Sequence, residues 1–333
     1  MEIIAEIGIN HGGDASRARY MIDGVAEAKA DTVKFQTYTV SEFVRKHTPK
    51  ADFQQNDSSL DHYSMLEKCE LSLESLNNLK KYAEKKGLNF LSTPYHPSAV
   101  YQLEAFGTER FKIASADLHD KFLIDAVIET GKPIIFSTGM ATFQQVSDIK
   151  NYIETKGVNL DHVVFLHCTS EYPCSEENAN LRFINNLIEL GVNVGFSDHS
   201  IGSTQALVAL GLGANTFEKH VTFDTSASGP DHSASADLEE FSRYVSALRS
   251  GFKSLGNRNK TISLAEENMQ TTSRKTLVYR EDMDANSRVH NSSFCAMRPF
   301  DGMSTFSVNE LIGRKLKKAV KAMETVVIDD FES

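Results

Sequence analysis

The sequence predicts a (β/α)8 barrel followed by a small C-terminal module. Eight short β-branched or aromatic runs lack strict polar–apolar alternation, so they read as strands buried on both faces. Segments of helical periodicity separate them over roughly 250 residues, the usual span of such a barrel. The rival architecture, a doubly wound sheet around a nucleotide, would carry a glycine-rich loop after a strand. No GxGxxG or Walker A pattern is present.

The strands are expected, in chain order, at 3–10 (IIAEIGIN), 32–37 (TVKFQT), 89–94 (NFLSTP), 110–115 (RFKIAS), 133–138 (PIIFST), 163–168 (VVFLHC), 193–198 (NVGFSD) and 216–221 (TFEKHV). Helical periodicity is clearest at 72–87, 143–157 and 182–191, and an eighth helix is expected at about 238–256. Gly87, Gly131, Gly157 and Gly191 stand where C-caps would release the chain into the next strand. The polar connection 38–71, between strands two and three, is too long for an ordinary barrel loop. It is expected to cover the active-site end; a plain surface excursion is the alternative. The barrel domain is placed at 1–256 and a polar linker at 257–274. The module at 275–333 holds strand-like pieces (TLVYR, SFCAM, TVVID) and one amphipathic segment, VNELIGRKLKKAVK.

With 45 acidic against 35 basic residues, the formal net charge is −10. That argues against general binding to nucleic acid or anionic membranes, while a locally positive pocket stays compatible with it. Cys69, Cys168, Cys174 and Cys295 form no CxxC pair and read as reduced thiols. The opening MEIIAEIGIN has no basic region or cleavage site, and no apolar run approaches a membrane span, so a cytoplasmic location is expected.

Barrel chemistry gathers at the C-terminal ends of the strands. Polar groups fall there: Glu6, Asn10 and His11; Lys34 and Gln36; Ser92 and Thr93; Lys112, Ser115 and Asp117; Ser137 and Thr138. His167, Thr169 and Ser170, then Ser197, Asp198 and His199, then Glu218, Lys219 and His220 complete the set. Each carries a desolvation cost unless hydrogen-bonded, so this many argue for a site. Lys34 and Lys112 alternate with apolar neighbours and would point inward. With hydroxyls from Thr93, Ser115, Ser137 and Ser197 they make a cradle for phosphate and carboxylate. His199 and His220 end neighbouring strands. Two imidazoles without thiolates suit a divalent ion such as Mn²⁺; hydrogen-bonded core histidines are the alternative. SGPDHSAS (228–235) adds Asp231 and His232 at the mouth, unless that turn is only structural. No Ser–His–Asp or Cys–His signature occurs, although Lys34 or Lys112 as a Schiff-base lysine stays open.

Several segments together resemble the neuraminate (sialic acid) synthase family, including its legionaminate-synthase relatives. They are AEIGINHGG (5–13), VKFQTY (33–38), LSTPY (91–95), FKIAS (111–115), STGMAT (137–142), HCTSEYP (167–173), GFSDHS (195–200), EKHVTFD (218–224) and SGPDH (228–232). MRPFDGMS (297–304), LIGRKL (311–316) and a closing DDF follow in order, so the resemblance extends over essentially the whole chain.

The resemblance implies a TIM barrel joined to an antifreeze-like (SAF) domain in a domain-swapped homodimer. It places metal ligation on His199 and His220, with Mn²⁺ ahead of Mg²⁺ or Co²⁺. It places phosphoenolpyruvate on Lys34, Thr93, Lys112, Ser115, Ser137 and Ser197, with Ser170 where the family often has Asn. Sugar-binding positions fall on Gln36, Asp117, Tyr172 and Asp231, and Glu6 matches a glutamate that ends the first strand. Arg298 matches an arginine that reaches the sugar in the partner subunit's site. Asp117 stands where many relatives have Glu, and DANSRV (284–289) lacks the usual Gly, although Asn286 tolerates a left-handed turn. The intact GPDH favours neuraminate or legionaminate synthesis over the pseudaminate branch.

The expected reaction condenses phosphoenolpyruvate with an N-acetylated amino sugar, N-acetylmannosamine or a 2,4-diacetamido-6-deoxy relative, to a nonulosonic acid and phosphate. Glu6 and Asp117 are the candidates for proton transfer. The rivals are a synthase acting on a phosphorylated aldose, a Schiff-base pyruvate aldolase and a non-catalytic sugar-binding protein.

Overall fold

The structure, a computed structural model, describes residues 1–51, 54 and 57–332. Strands β1 (Glu2–Gly8), β2 (Thr32–Thr37), β3 (Asn89–Pro94), β4 (Phe111–Ile113), β5 (Ile134–Ser137), β6 (Val163–Cys168), β7 (Asn193–Asp198) and β8 (Thr216–Thr222) run parallel in the order β3-β2-β1-β8-β7-β6-β5-β4. The outermost two, β3 and β4, lie within 8 Å of each other without ladder hydrogen bonds, so the barrel is nearly closed. Helices α1 (Ala15–Glu27), α2 (Val40–Phe43), α3 (His62–Cys69), α4 (Leu73–Lys85) and α5 (Pro97–Ala105) belong to its first half. Helices α6 (Lys121–Glu129), α7 (Phe143–Thr155), α8 (Phe183–Glu189), α9 (Thr204–Gly211) and α10 (Leu238–Leu255) complete it; β9 (Ala236–Asp237) extends β8.

Alternate strand residues fill the interior in layers. At the N-terminal end Arg110 donates to Glu2 Oε2 at 2.7 Å and to Thr32 Oγ1 at 2.9 Å, plugging the barrel with a paired charge. Above it Ile4, Leu91, Ile135 and Leu166 form a dry layer. Gly195 of β7 belongs here because a Cβ would come within 2.4 Å of Leu166 Cδ2. The next inward positions, two residues on, are Glu6, Lys34, Thr93, Ser137, Ser197 and Glu218. An apolar floor thus carries a polar ceiling, and that ceiling is where a site forms. The opposite faces of the strands pack against the helices in the main core, among them Ile3, Val33, Phe111, Phe136, Phe165 and Phe217.

Gly87, Gly131, Gly157 and Gly191 follow α4, α6, α7 and α8 with positive φ, as expected of C-caps. The expected ends of strands one, four and five shorten to Gly8, Ile113 and Ser137, since the last residues turn into the loops that build the site. In the excursion 38–71, residues 52, 53, 55 and 56 lie outside the described residues. In its remainder Tyr38, Val40, Met65, Leu66 and Cys69 form a small core together with Ile9, which follows β1, and Tyr38 Oη donates to Leu66 O at 3.1 Å.

The chain divides into two compact units, Met1–Gly256 and Asn257–Ser333. The stretch expected as a linker is half helical: α11 (Leu264–Ser273) starts at Ser263, whose side chain accepts from Glu266 N while Glu266 answers with its carboxylate. The second unit pairs β10 (Thr276–Tyr279) with β11 (Phe294–Met297) antiparallel, around Leu277, Tyr279, Val289, Phe294, Leu311, Leu316, Val320, Val326 and Phe331. Tyr279 Oη donates to the buried Asp330 Oδ2 at 3.1 Å, tying the closing DDF to this core. The amphipathic segment is helical only over α12 (Val308–Leu311); Gly313, at φ +84°, turns the chain, and Leu316 and Val320 reach the core from bridged loops. TVVID likewise forms a single bridge, Thr325 to Val278, and no strand. Asn286 adopts φ +68°, the left-handed turn its position requires. Ser333 of the expected module lies outside the described residues. Among the described residues no helix is long and apolar enough to cross a membrane.

Candidate active site

The C-terminal ends of the strands open into a cavity of about 850 Å³. Thirteen of the expected site residues line it: Glu6, Lys34, Gln36, Thr93, Lys112, Ser115, Ser137, Ser170, Tyr172, Ser197, His199, His220 and Asp231. Asp117 closes the turn Ser115–Asp117, whose first two residues line the same cavity. Arg298 is exposed, directly after β11 in the second unit.

Two buried ammonium groups dominate the floor. Lys34 Nζ stands 3.0 Å from Glu218 Oε2 and 3.4 Å from Glu6 Oε2, and donates to Thr93 Oγ1 at 3.3 Å. Lys112 Nζ donates to Ser137 Oγ at 2.6 Å and lies 3.8 Å from Glu218 Oε1. Ser197 donates to that same oxygen at 3.0 Å. Glu218 therefore bridges both lysines. Burial opposes its charge, but Lys112 and Lys34 overcome burial and hold the carboxyl well below the usual range. Lys34, with two carboxylates against the cost of burial, is pushed up and stays charged. Burial prevails at Lys112, which falls to about 8. Glu6 is raised by burial despite Lys34, and its Oε1 accepts from Gln36 Nε2 at 3.1 Å.

The turn after β5 adds a close backbone approach. Gly139 N donates to Ser115 Oγ at 3.0 Å, and a Cβ there would stand 2.3 Å from Ser170 Oγ. Only glycine lets these two hydroxyls converge beside Lys112. Two ammonium groups against one ionised carboxylate leave a net positive charge, which, ringed by hydroxyls and open to a cavity, suits an anion bearing phosphate and carboxylate.

Beside this cradle the rings of His199 and His220 lie 5.5 Å apart, centroid to centroid. His199 Nδ1 meets the carbonyl of Thr169 at 2.8 Å, so Nδ1 donates and Nε2 carries the lone pair, with Ser197 Oγ 3.5 Å from it. His220 is half-buried and held well below its ordinary range by desolvation and by His199, hence neutral, and its Nδ1 has no hydrogen-bond partner. A neutral imidazole with an unused nitrogen beside a second oriented one fits a divalent ion. Among the described residues no three His, Cys, Asp or Glu side chains converge as a ready-made cage, so substrate or water oxygens would complete the shell. Tyr172 packs over His199 with ring centroids 4.0 Å apart.

Two further acids belong to this region: Asp231 in the cavity lining and Asp117 at the end of the turn beside it. Burial lifts Asp117 to about 7, aided by Asp120 and opposed by Lys112. Burial lifts Asp231 to about 7 as well, aided by Glu6. His232, expected at the mouth, instead lies beneath the turn: its Nδ1 meets Thr222 Oγ1 at 2.6 Å, and its ring occupies the space a Cβ on Gly229 would need. The turn is thus wedged in place with Asp231 at its tip.

Other polar groups expected to gather here point away. Ser92 bonds Phe35 O and Thr138 bonds Leu166 O; His167 meets Ala179 O at 2.7 Å. Asp198 pairs with Lys219 at 3.3 Å, while Asn10 donates to Val221 O and His11 accepts from Gly13 N. Strand side chains alternate between faces, so only every second residue of a polar run enters the barrel. The same rule identifies what was left unassigned: Glu218 shares the face of His220, and Cys168 that of Leu166, its sulfur 3.7 Å from His199 Nδ1. Tyr95, Phe43, Gln54 and His62 also line the cavity. Tyr95 directly follows the STP run; the other three come from the excursion, whose polar composition gave no local signal.

A profile of the NeuB family matches residues 21–260. N,N'-diacetyllegionaminic acid synthase of Legionella pneumophila is 33% identical over 99% of this chain and 94% of its own length. Pseudaminic acid synthase of Helicobacter pylori is 31% identical over 99% of this chain and 98% of its own. Among solved structures, N-acetylneuraminic acid (sialic acid) synthetase of Leptospira borgpetersenii superposes with a TM-score of 0.71 at 32% identity, covering 80% of this chain and 88% of that one.

Proposed function

Because this chain belongs to the NeuB family, we propose that it condenses phosphoenolpyruvate with an N-acetylated amino sugar, yielding a nonulosonic acid and phosphate. The observation that carries this reading is the paired cradle and imidazole site in one cavity: Lys34 and Lys112 bridged by Glu218, beside His199 and His220. Lys34, Lys112, Thr93, Ser115, Ser137, Ser170 and Ser197 hold the phosphate and carboxylate. Gln36, Asp117, Tyr172 and Asp231 meet the sugar. A divalent ion held by His199 and His220, Mn²⁺ or else Mg²⁺ or Co²⁺, would supply Lewis acidity toward the sugar's aldehyde oxygen. The chain itself brings both reactants together above a dry layer, which removes the entropic cost of their meeting. Glu6, raised by burial, is the candidate to protonate the aldehyde oxygen as it becomes the new hydroxyl. Asp117, near neutrality and within the field of Lys112, is placed to take the proton of the water that adds at C2.

Phosphate release from phosphoenolpyruvate tests the function, and it is expected only when both Mn²⁺ and a 2-acetamido sugar are present. Release without sugar, or none under any condition, would reject it. The pH dependence follows from the same groups. Asp117 and Asp231 ionise as pH rises through about 7, supplying the base, and Lys112 loses its charge through about 8. Hence kcat/KM for phosphoenolpyruvate should climb through the first range and fall through the second. A profile flat from about pH 6 to about pH 9 would contradict that assignment.

For the second unit we infer an antifreeze-like domain that completes the site of a partner subunit in a domain-swapped homodimer. In that arrangement Arg298 reaches the sugar and helps to exclude water. Arg298→Ala should raise the sugar KM about tenfold or more while leaving that of phosphoenolpyruvate nearly unchanged. An unchanged sugar KM would count against contact in trans.

A further inference from the structure

The cavity has a second polar feature, carried by the excursion and not by the strands that bear the lysines and the imidazole pair, and neither the cradle nor proton transfer uses it. Gln54 and His62, both from the β2–α4 excursion, line it beside the apolar side chains of Ile9, Phe43 and Leu66. Gln54 is 7% exposed. Its side-chain Oε1 accepts from Ala51 N at 3.2 Å, which fixes that atom as oxygen. The same oxygen faces His62 Nδ1 at 3.2 Å, so Nδ1 must carry the hydrogen and Nε2 the lone pair. Burial holds His62 below its ordinary range, which keeps this tautomer neutral. Among the described residues, neither the amide nitrogen of Gln54 nor Nε2 of His62 makes a hydrogen bond. The excursion thus offers one donor and one acceptor, set against an apolar wall.

We propose that Gln54 and His62 form a subsite for a second acylamino group on the sugar, remote from its aldehyde, and that this subsite selects diacylamino sugars over 4-hydroxy monoacylamino ones. The proposal rests on the synthase function above. An acylamino group presents an N–H to His62 Nε2, a carbonyl to the Gln54 amide and a methyl to Phe43 and Leu66. A hydroxyl at that position can meet one polar partner, leaves the other unsatisfied in a half-apolar pocket, and leaves the wall uncovered.

The test is phosphate release measured with N-acetylmannosamine and with a 2,4-diacetamido-2,4,6-trideoxy hexose, for the full chain and for Gln54→Leu and His62→Phe. The full chain should show kcat/KM at least about tenfold higher with the diacetamido sugar. Each variant should lose about ten- to a hundredfold with that sugar, at least tenfold more than with N-acetylmannosamine. Parallel losses on both sugars, no loss, or a full chain that prefers the 4-hydroxy sugar would overturn the subsite. The full-chain preference decides the matter even if a variant fails to fold. The two levels also separate: a chain that turns over both sugars without discrimination sinks the subsite alone, whereas one that releases phosphate with neither sinks the synthase function beneath it.

Discussion

Glu218→Gln should lower the thermal midpoint by roughly 10 °C and cut turnover of phosphoenolpyruvate by on the order of 10²–10³-fold. The carboxylate is 3% exposed and balances Lys34 and Lys112 together. Its neutral amide leaves two like charges in a space with no other full counter-charge except Glu6, itself raised by burial. Breaking a buried pair costs about 3–5 kcal/mol. The sign of the pH dependence provides a check. Lys112 is depressed from 10.5 to about 8, so its charged form is a burden on the fold below that range, relieved as pH rises and the proton leaves. Without Glu218, which holds it up, Lys112 in the variant loses its proton below that range, so the stability gap between the variant and the native chain should narrow as pH rises toward about 8. Added phosphate should also raise the midpoint of Glu218→Gln more than that of the native chain, since an anion replaces the missing charge. A variant as stable as the native chain at pH 7 would show that the bridge carries little weight.

His220→Ala should abolish the Mn²⁺-dependent part of phosphate release, a fall on the order of 10²–10³-fold, with the fold intact. The ring faces the cavity and its Nδ1 has no hydrogen-bond partner, so truncation strands no polar atom and opens no closed void. The outcome separates a metal ligand from a core histidine by two readouts. Equilibrium dialysis should show loss of Mn²⁺ binding, and the thermal midpoint should move little. Full activity in this variant, or a collapse in stability with Mn²⁺ binding retained, would overturn the ligand assignment.

Much of this site is legible in the chain because barrel strands place chemistry by parity. TVKFQT delivers Lys34 and Gln36 to one face, and NFLSTP delivers Thr93 with Leu91 beneath it. These strands run as expected from first residue to last because burial on both faces leaves no polar break inside them. Parity also explains which polar residues stay out of the site. Asp198 and Lys219 lie on the same strands as Ser197 and Glu218, but the pleat turns them outward into a pair of their own. Glu218 was visible in EKH, yet its partnership with Lys34 depends on residues some 180 positions apart, which only the closed sheet brings together.

The second unit was less legible. Its apolar positions reach one core from bridged loops, so the spacing in VNELIGRKLKKAVK imitates a helix that Gly313 ends after one turn. The helix at 264–273 had a local signature in Ser263 and Glu266 that a polar composition obscured.

The central claim, carbon–carbon bond formation between phosphoenolpyruvate and an amino sugar in this cavity, is tested most directly by mass spectrometry of the incubation with Mn²⁺. The expected result is one new acid with the mass of the sugar plus pyruvate, formed in step with free phosphate and absent when Lys34→Ala replaces the native chain. Phosphate appearing with the sugar unchanged, or the same adduct from Lys34→Ala, would contradict it.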